Sequence, residues 1–301
     1  MKIKKIVLAG LFLVSGFTVA SAQVKLSFNP EKGTKYEYQT EMTSNNKSNV
    51  MGQEVPVEME ISLKYLMEIM DKTPQEIQVQ FTCQEIAYII SSPMMKMGYD
   101  SKKPIENPSN MDNIFGKMLN GMLGSSIMMV FGHDGSVKSI TGMEIIAENM
   151  TNAVANDGQI AAQMVAPVKQ QFSETSMKSS FEQSFKIYPD HPVRTGNSWN
   201  MESVTMLNNM NTNFKSKYTL KNTNRNITAV AVVSDMEINP VAGMEGKLAG
   251  TQTGTINIDT KTGLPVKSDM TQNIKGSVST QGMEVQMEMV TKTKSSIKEV
   301  K

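Results

Sequence analysis

Few side chains here do chemistry of their own. Two histidines, His133 and His191, and one cysteine, Cys83, are the whole stock of imidazole and thiol in 301 residues. Cys83 lies in Gln80-Phe81-Thr82-Cys83-Gln84, an alternating stretch in which a lone cysteine reads as a buried, inert thiol. His133 falls in His133-Asp134-Gly135, a hairpin turn, and His191 in the rigid loop Pro189-Asp190-His191-Pro192. Both read as surface loop residues rather than bases awaiting a nucleophile. One cysteine excludes a disulfide framework and every multi-cysteine metal cluster, and two histidines leave little room for zinc. Asp259-Thr260-Lys261-Thr262-Gly263 offers one carboxylate where a calcium loop needs several oxygen donors. There is no nucleophile elbow, zinc-protease helix, phosphate loop or dinucleotide fingerprint. No catalytic residue, metal ligand or cofactor is assigned, and an enzyme is not expected.

Methionine is the unusual component: 27 residues, against 18 aromatics. Soft thioethers select Cu(I), and Met94-Met95-Lys96-Met97 and Met287-Glu288-Met289 would be the places for it. The distribution favours another use. Met118 and Met122 share the apolar face of a helix, and Met283, Met287 and Met289 share one parity of a strand. Used this way, the flexible, polarizable side chain fills irregular apolar space, either a core or an adaptable binding groove. The groove reading names Met118, Leu119, Met122 and Met164 as lining residues for a lipid or acyl chain.

Thirty basic against twenty-nine acidic residues leave a formal charge of +1, which excludes a strongly basic nucleic-acid binder. Residues 1–22 carry Lys2, Lys4 and Lys5, then an apolar run from Ile6 to Val19, then Ala20-Ser21-Ala22. That order predicts a secretory signal peptide cleaved after Ala22. The run is short of the roughly 20 residues a membrane span needs, and no later stretch approaches that length. The expectation is an exported protein, periplasmic or extracellular, with peripheral association with the outer membrane as one option.

Beyond residue 22 the pattern is mostly strand-like. Val24 to Phe28 alternates, and Val55 to Met70 and Ile77 to Ile90 form long runs across the turn Asp71-Lys72-Thr73-Pro74-Gln75, which predicts long antiparallel hairpins. The period then changes. Ile114, Phe115, Met118, Leu119, Met122 and Leu123 form one helical face ending at Gly124. Further helical segments hold Ile145, Ile146 and Met150, then Ile160, Met164, Val165, Val168 and Phe172, then Met177, Phe181 and Phe185 at every fourth position. Strands return from Trp199 onward. Gly33-Thr34-Lys35-Tyr36 and Gly196-Asn197-Ser198-Trp199 open the two strand-rich parts, and Val137-Lys138-Ser139 and Val266-Lys267-Ser268 follow a turn glycine in each. The predicted fold class is α+β, mostly β. Two diverged strand-rich copies form long, curved antiparallel sheets, with amphipathic helices inserted between and packed on them. In outline, a signal peptide (1–22) precedes a first repeat (23–140) with a helical insertion at 111–124. Connecting helices (141–189) and a second repeat (190–301) follow.

Several segments carry a resemblance: Gly33-Thr34-Lys35-Tyr36-Glu37-Tyr38, Ser91-Ser92-Pro93 through Tyr99-Asp100-Ser101, and Phe181-Glu182-Gln183 through Pro189. Pro192-Val193 to Gly196-Asn197-Ser198-Trp199 and Gly250-Thr251-Gln252-Thr253-Gly254-Thr255 are two more. Together they resemble a family of secreted or lipoprotein-like Bacteroidota envelope proteins classed only as a domain of unknown function. The resemblance implies an envelope location and brings no activity. Its members are often lipoproteins, whereas no cysteine follows Ala22 here.

Two functions from different classes follow. One is non-catalytic binding of an apolar ligand, a lipid or acyl chain, in a Met-rich groove. The other is a structural or protein-interaction component of the envelope, with a closed core and an envelope protein as partner. Neither involves nucleic acid or a transmembrane span.

Overall fold

The structure, a computed structural model, describes residues 23–300 except 51, 104–108, 160–162, 164, 167–172, 208–209, 240–243 and 281–282. The predicted signal peptide and Met164 lie outside the described residues, as does most of the predicted helix over 160–172. Alternating apolar and polar residues put one face of each strand inside and the other in water. The result is mostly β: among the described residues, twelve strands in one antiparallel sheet, with three helices.

The strands are β1 (Lys35–Val50), β2 (Gln53–Lys72), β3 (Ile77–Ser91), β4 (Lys96–Asp100), β5 (Ser126–Phe131), β6 (Val137–Thr141), β7 (Ser198–Leu207), β8 (Met210–Asn224), β9 (Ile227–Asn239), β10 (Met244–Asp259), β11 (Pro265–Thr280) and β12 (Met283–Val300). Their spatial order is β6-β5-β3-β2-β1-β12-β11-β10-β9-β8-β7, with β4 also paired to β3. The long hairpins read from the alternation are present, β2 alone running to 20 residues. The centre of the sheet is a long-range pair, β1 with β12, from Lys35 opposite Val300 to Val50 opposite Val285.

Helix α1 (Asn110–Asn120) and helix α2 (Met143–Asn152) occupy two of the predicted helical segments, and α3 (Glu174–Phe185) carries the Met177, Phe181, Phe185 series. Ser109 caps α1, accepting from the Asp112 N–H while the Asp112 carboxylate accepts back from the Ser109 N–H, the reciprocal arrangement that satisfies two orphan donors.

Helix α3 decides the shape. It packs against β6 and β7, the two ends of the strand order. The β6 edge donates its Val137 N–H to the Glu182 carboxylate at 3.0 Å. On the other edge, Trp199 of β7 donates its indole N–H to the Ile187 carbonyl just past the helix, at 3.1 Å. One helix can touch both ends of an eleven-strand row only if the sheet is rolled around it. Phe181 and Phe185 point into the roll and meet Tyr38, Phe81, Phe131 and Phe28 at centroid distances of 4.8–6.4 Å, the spacing of favourable edge-on and tilted ring contacts.

The alternating segment Val24 to Phe28 departs from expectation. It makes a single bridge, Val24 with Val193, rather than a strand. It runs instead across the end of the roll where the turns gather. The Phe28 N–H donates to the His133 carbonyl at 2.8 Å and the Asn29 N–H to the Thr262 carbonyl at 2.7 Å. These bonds consume the backbone groups a sheet ladder would have used, and the apolar parity of the segment still goes inward, with Leu26 and Phe28 buried.

Candidate site: a two-lobed cavity under helix α3

The inner face of the sheet is not uniform along its rows. Residues directly opposite one another on neighbouring strands form transverse rows whose side chains share a face. One row runs Ser268 (β11), Ser295 (β12), Thr40 (β1), Leu63 (β2), Ile86 (β3). It carries hydroxyls as far as β1 and hydrocarbon from β2 onward. The next row towards the helix-covered end holds Tyr38, Tyr65 and Cys83. The chemistry of the inner face therefore changes at β1, and α3 lies over that boundary.

A hollow opens on each side. The apolar lobe, about 250 Å³, lies between α3 and β1–β3. Ile61, Leu63, Ile86, Met177 and Phe181 supply its hydrocarbon; Thr40, Ser180, Ser184 and three phenols supply its few polar atoms. The polar lobe, about 90 Å³, lies between α3 and β10–β12, with Gln252, Gln272, Thr293 and Ser295 in its wall. Tyr38 and Ser184 belong to both lobes. Among the described residues, neither lining contains a carboxylate, an ammonium, a guanidinium, an imidazole or a thiol.

Two larger hollows, about 580 and 410 Å³, are lined largely by charged and polar residues. The first is flanked by the ion pairs Lys47–Glu54 and Lys275–Glu288. A ligand pocket is mostly apolar, with a few convergent polar groups, so the two-lobed cavity is the better candidate despite its smaller volume.

The phenols of the cavity differ in their partners. Tyr88 donates its hydroxyl to Met59 Sδ at 3.1 Å. Tyr38 has Ser184 and Ser295 as hydroxyl neighbours, and burial pushes its ionisation up despite them. Tyr65 is only 6% exposed, and its hydroxyl has no hydrogen-bond partner among the described residues. No fully enclosed side-chain oxygen or nitrogen among those residues lacks a partner, so the Tyr65 hydroxyl is open to the cavity rather than sealed in the core. Burial pushes its ionisation far above the ordinary phenol range, with the nearby Cys83 and Tyr38 adding to the shift. It is a hydrogen-bond donor that stays neutral.

The residues named from sequence lie elsewhere. Met118, Leu119 and Met122 are 1–2% exposed in the main core cluster, at and just beyond the end of α1, and line neither lobe. Met164 lies outside the described residues. The cavity's own residues come from six strands and one helix; the every-fourth pattern of Met177 and Phe181 was the one signal that pointed at any of them. His133, expected on the surface of its turn, is half-buried, its ring nitrogens each 3.0 Å from a carbonyl oxygen, of Phe28 and of Thr73. It ties the N-terminal segment to the β2–β3 turn. His191 is exposed and pairs with its neighbour Asp190. Cys83 is buried beside Tyr65, and burial raises its thiol to about 11.

Residues 74–265 match the model of a family described as a family of unknown function (DUF6263). A comparison with curated proteins found no match. Among solved structures, a lipovitellin structure described by its lipid–protein interactions is similar at a TM-score of 0.44 and 9% identity, over 89% of this chain. The chain spans about a quarter of that protein, 26% of its length. An outer membrane channel from Pseudomonas putida F1 is similar at 0.23 and 7% identity, over 90% of this chain and 98% of the channel. Pseudomonas aeruginosa OccK7 (OpdD) is similar at 0.25 and 7%, over 89% of this chain and 100% of the other. Each likeness is too slight to carry an argument. No described helix is long and apolar enough to cross a membrane.

Proposed function

The chain belongs to the DUF6263 family of unknown function, and we propose that it is a non-catalytic binder of an apolar ligand, a lipid or acyl chain, exported from the cytoplasm. The observation that carries this reading is the apolar lobe of about 250 Å³ between α3 and β1–β3. Interiors otherwise fill at crystal-like density, and an apolar hollow that stays dry takes up hydrocarbon readily. At about 30 Å³ per water, the lobe equals roughly eight waters, the scale of a short acyl segment. The described lining residues, hydroxyls, phenols and hydrocarbon, suit binding. On this reading the groove is lined by Met177, Phe181 and the β1–β3 face rather than by the α1 methionines. The leader-like residues 1–22 support export.

Native mass spectrometry of the mature chain, purified gently from its own host's envelope, tests the reading. A co-purifying mass extracted by organic solvent is expected. Leu63→Trp, which fills the lobe, should remove it while leaving the chain folded. A bare wild-type chain, or one carrying only another protein, would overturn it in favour of a structural role in the envelope.

A further inference from the structure

We infer that the ligand is an uncharged amphiphile, an alcohol, ester or amide rather than a carboxylate or a phosphate-bearing lipid, with Tyr65 donating a hydrogen bond to its polar end. The inference rests on the cavity being the binding site and goes beyond it to the ligand's chemical class. Three independent observations converge. The first is the lining itself: among the described residues, both lobes carry only neutral side chains. An ion buried without a counter-charge loses much of its solvation, and the described lining offers an ionised head no counter-charge.

The second is the Tyr65 hydroxyl, buried, open to the lobe and without a partner among the described residues. A donor that faces the lobe without a protein partner is free to bond a ligand that displaces water from it. A carbonyl, ester or hydroxyl oxygen at the end of an apolar chain would satisfy it. The third is the change of chemistry along the row Ser268–Ser295–Thr40–Leu63–Ile86. Hydrocarbon is favoured on the β2–β3 side and neutral hydrogen-bonding groups on the β11–β12 side, where Gln252, Gln272 and Thr293 add an amide-and-hydroxyl wall. With Tyr38 and Ser184 common to both lobes, one molecule can lie with its tail in the first and its head at that boundary.

The experiment uses three eight-carbon probes on the whole protein at pH 8: 1-octanol and octanoate by isothermal titration, and n-octane by headspace partitioning. Octanol is expected to bind at least tenfold more tightly than octanoate. Tyr65→Phe, which removes only the hydroxyl, should weaken octanol about three- to tenfold, the worth of one hydrogen bond, and leave n-octane unchanged. Octanoate binding as tightly as octanol would overturn the inference, as would octanol binding that ignores Tyr65→Phe. If n-octane binds and octanol does no better, the cavity is a ligand site but its head-group chemistry is not the one inferred. If no probe binds, the binding reading falls and this inference falls with it.

Discussion

Gln272 donates its side-chain amide to Gln252 Oε1 at 2.7 Å, directly across the β10–β11 pair on the inner face of the sheet. The contact belongs to a rung of six polar residues, one per strand: Ser44, Thr291, Gln272, Gln252, Ser234 and Ser216. Ser44 and Thr291 share a hydrogen bond at 2.8 Å, and so do Ser216 and Ser234. On one side of the rung lies the main core; on the other lies a second apolar cluster of Phe214, Met236, Ile238, Leu248, Ile274, Val278 and Met289. Slipping any strand by one residue would turn its polar group outward and an outer residue in, so the pairing of the rung fixes register at the middle of the sheet.

The rung is therefore expected to behave as pairs rather than as single residues. Gln252→Leu leaves the Gln272 amide facing an apolar neighbour and should cost about 1–3 kcal/mol, the range for a buried group that loses its partner. The double variant with Gln272→Leu should cost less than the two single variants added together. Urea unfolding of the four proteins as a double-mutant cycle measures this; strict additivity would mean the amide pair is not a coupled unit.

Gly135 and Gly33 both adopt positive φ, +78° and +83°, but only one faces an obstacle. A Cβ on Gly135 would come within 1.9 Å of the Phe185 carbonyl oxygen at the end of α3, whereas Gly33 has open space around it. Gly33→Ala should cost about 1–2 kcal/mol, the left-handed penalty alone. Gly135→Ala must also displace backbone, and its loss of stability should be at least twice as large. Denaturation midpoints of the two variants decide it, and equal losses would show that α3 yields freely.

Asp112 ties α1 to the sheet as well as capping it: its carboxylate accepts from Ser109 N–H and Oγ at 2.8 and 2.7 Å, and from the Gly98 N–H of β4 at 2.8 Å. Partial burial opposes its charge, but the bonds from Ser109 and Gly98 outweigh it, and the carboxyl sits below its ordinary value. A carboxyl depressed in the folded state stabilises above its unfolded pKa, about 3.9, and that stability is lost as pH falls through the folded value. Asp112→Ala should thus cost about 1 kcal/mol at pH 7, with the gap to wild type narrowing below about pH 4. Thermal unfolding across pH 2.5–7, spanning both values, checks the sign; a gap that widens in acid would contradict it.

Cys83 sits in the Tyr38–Tyr65 row with its thiol raised to about 11 by burial. The thiolate is the reactive form, so the native protein should resist a thiol reagent such as dithiobis-nitrobenzoate at pH 8 and react fully once unfolded in guanidinium. Rapid native labelling would mean that the wall around Tyr65 opens.

Much of the scaffold was legible because it is local. Alternation along β2 and β3, Asp-Gly and Thr-Gly turns, and the fourfold spacing of Met177, Phe181 and Phe185 each express one element's own geometry. The cavity is not local. Ser295 and Thr40 meet at 3.0 Å across 255 residues of chain, and the row that sorts hydroxyl from hydrocarbon exists only in the β1–β12 register. The segment Val24 to Phe28 alternates like a strand because Leu26 and Phe28 must point inward, and alternation does not reveal whether a sheet edge is there to receive it. An apolar helix face also reads the same whether a sheet or a ligand covers it.

That last ambiguity ends in a measurable contrast between two methionines. Met118 is 1% exposed in the main core, whereas Met177 is half-buried on α3 and lines the apolar lobe. Met118→Asp would bury a carboxyl with no partner, a penalty of several kcal/mol, comparable with the whole stability of many domains; the chain should fail to fold or melt far earlier. Met177→Asp can turn its carboxylate towards solvent, so the fold should survive, with circular dichroism unchanged, while n-octane uptake falls. The reverse pattern, with Met118→Asp folded and defective only in uptake, would make α1 the wall of the binding site and return the methionine groove to the face first read from the sequence.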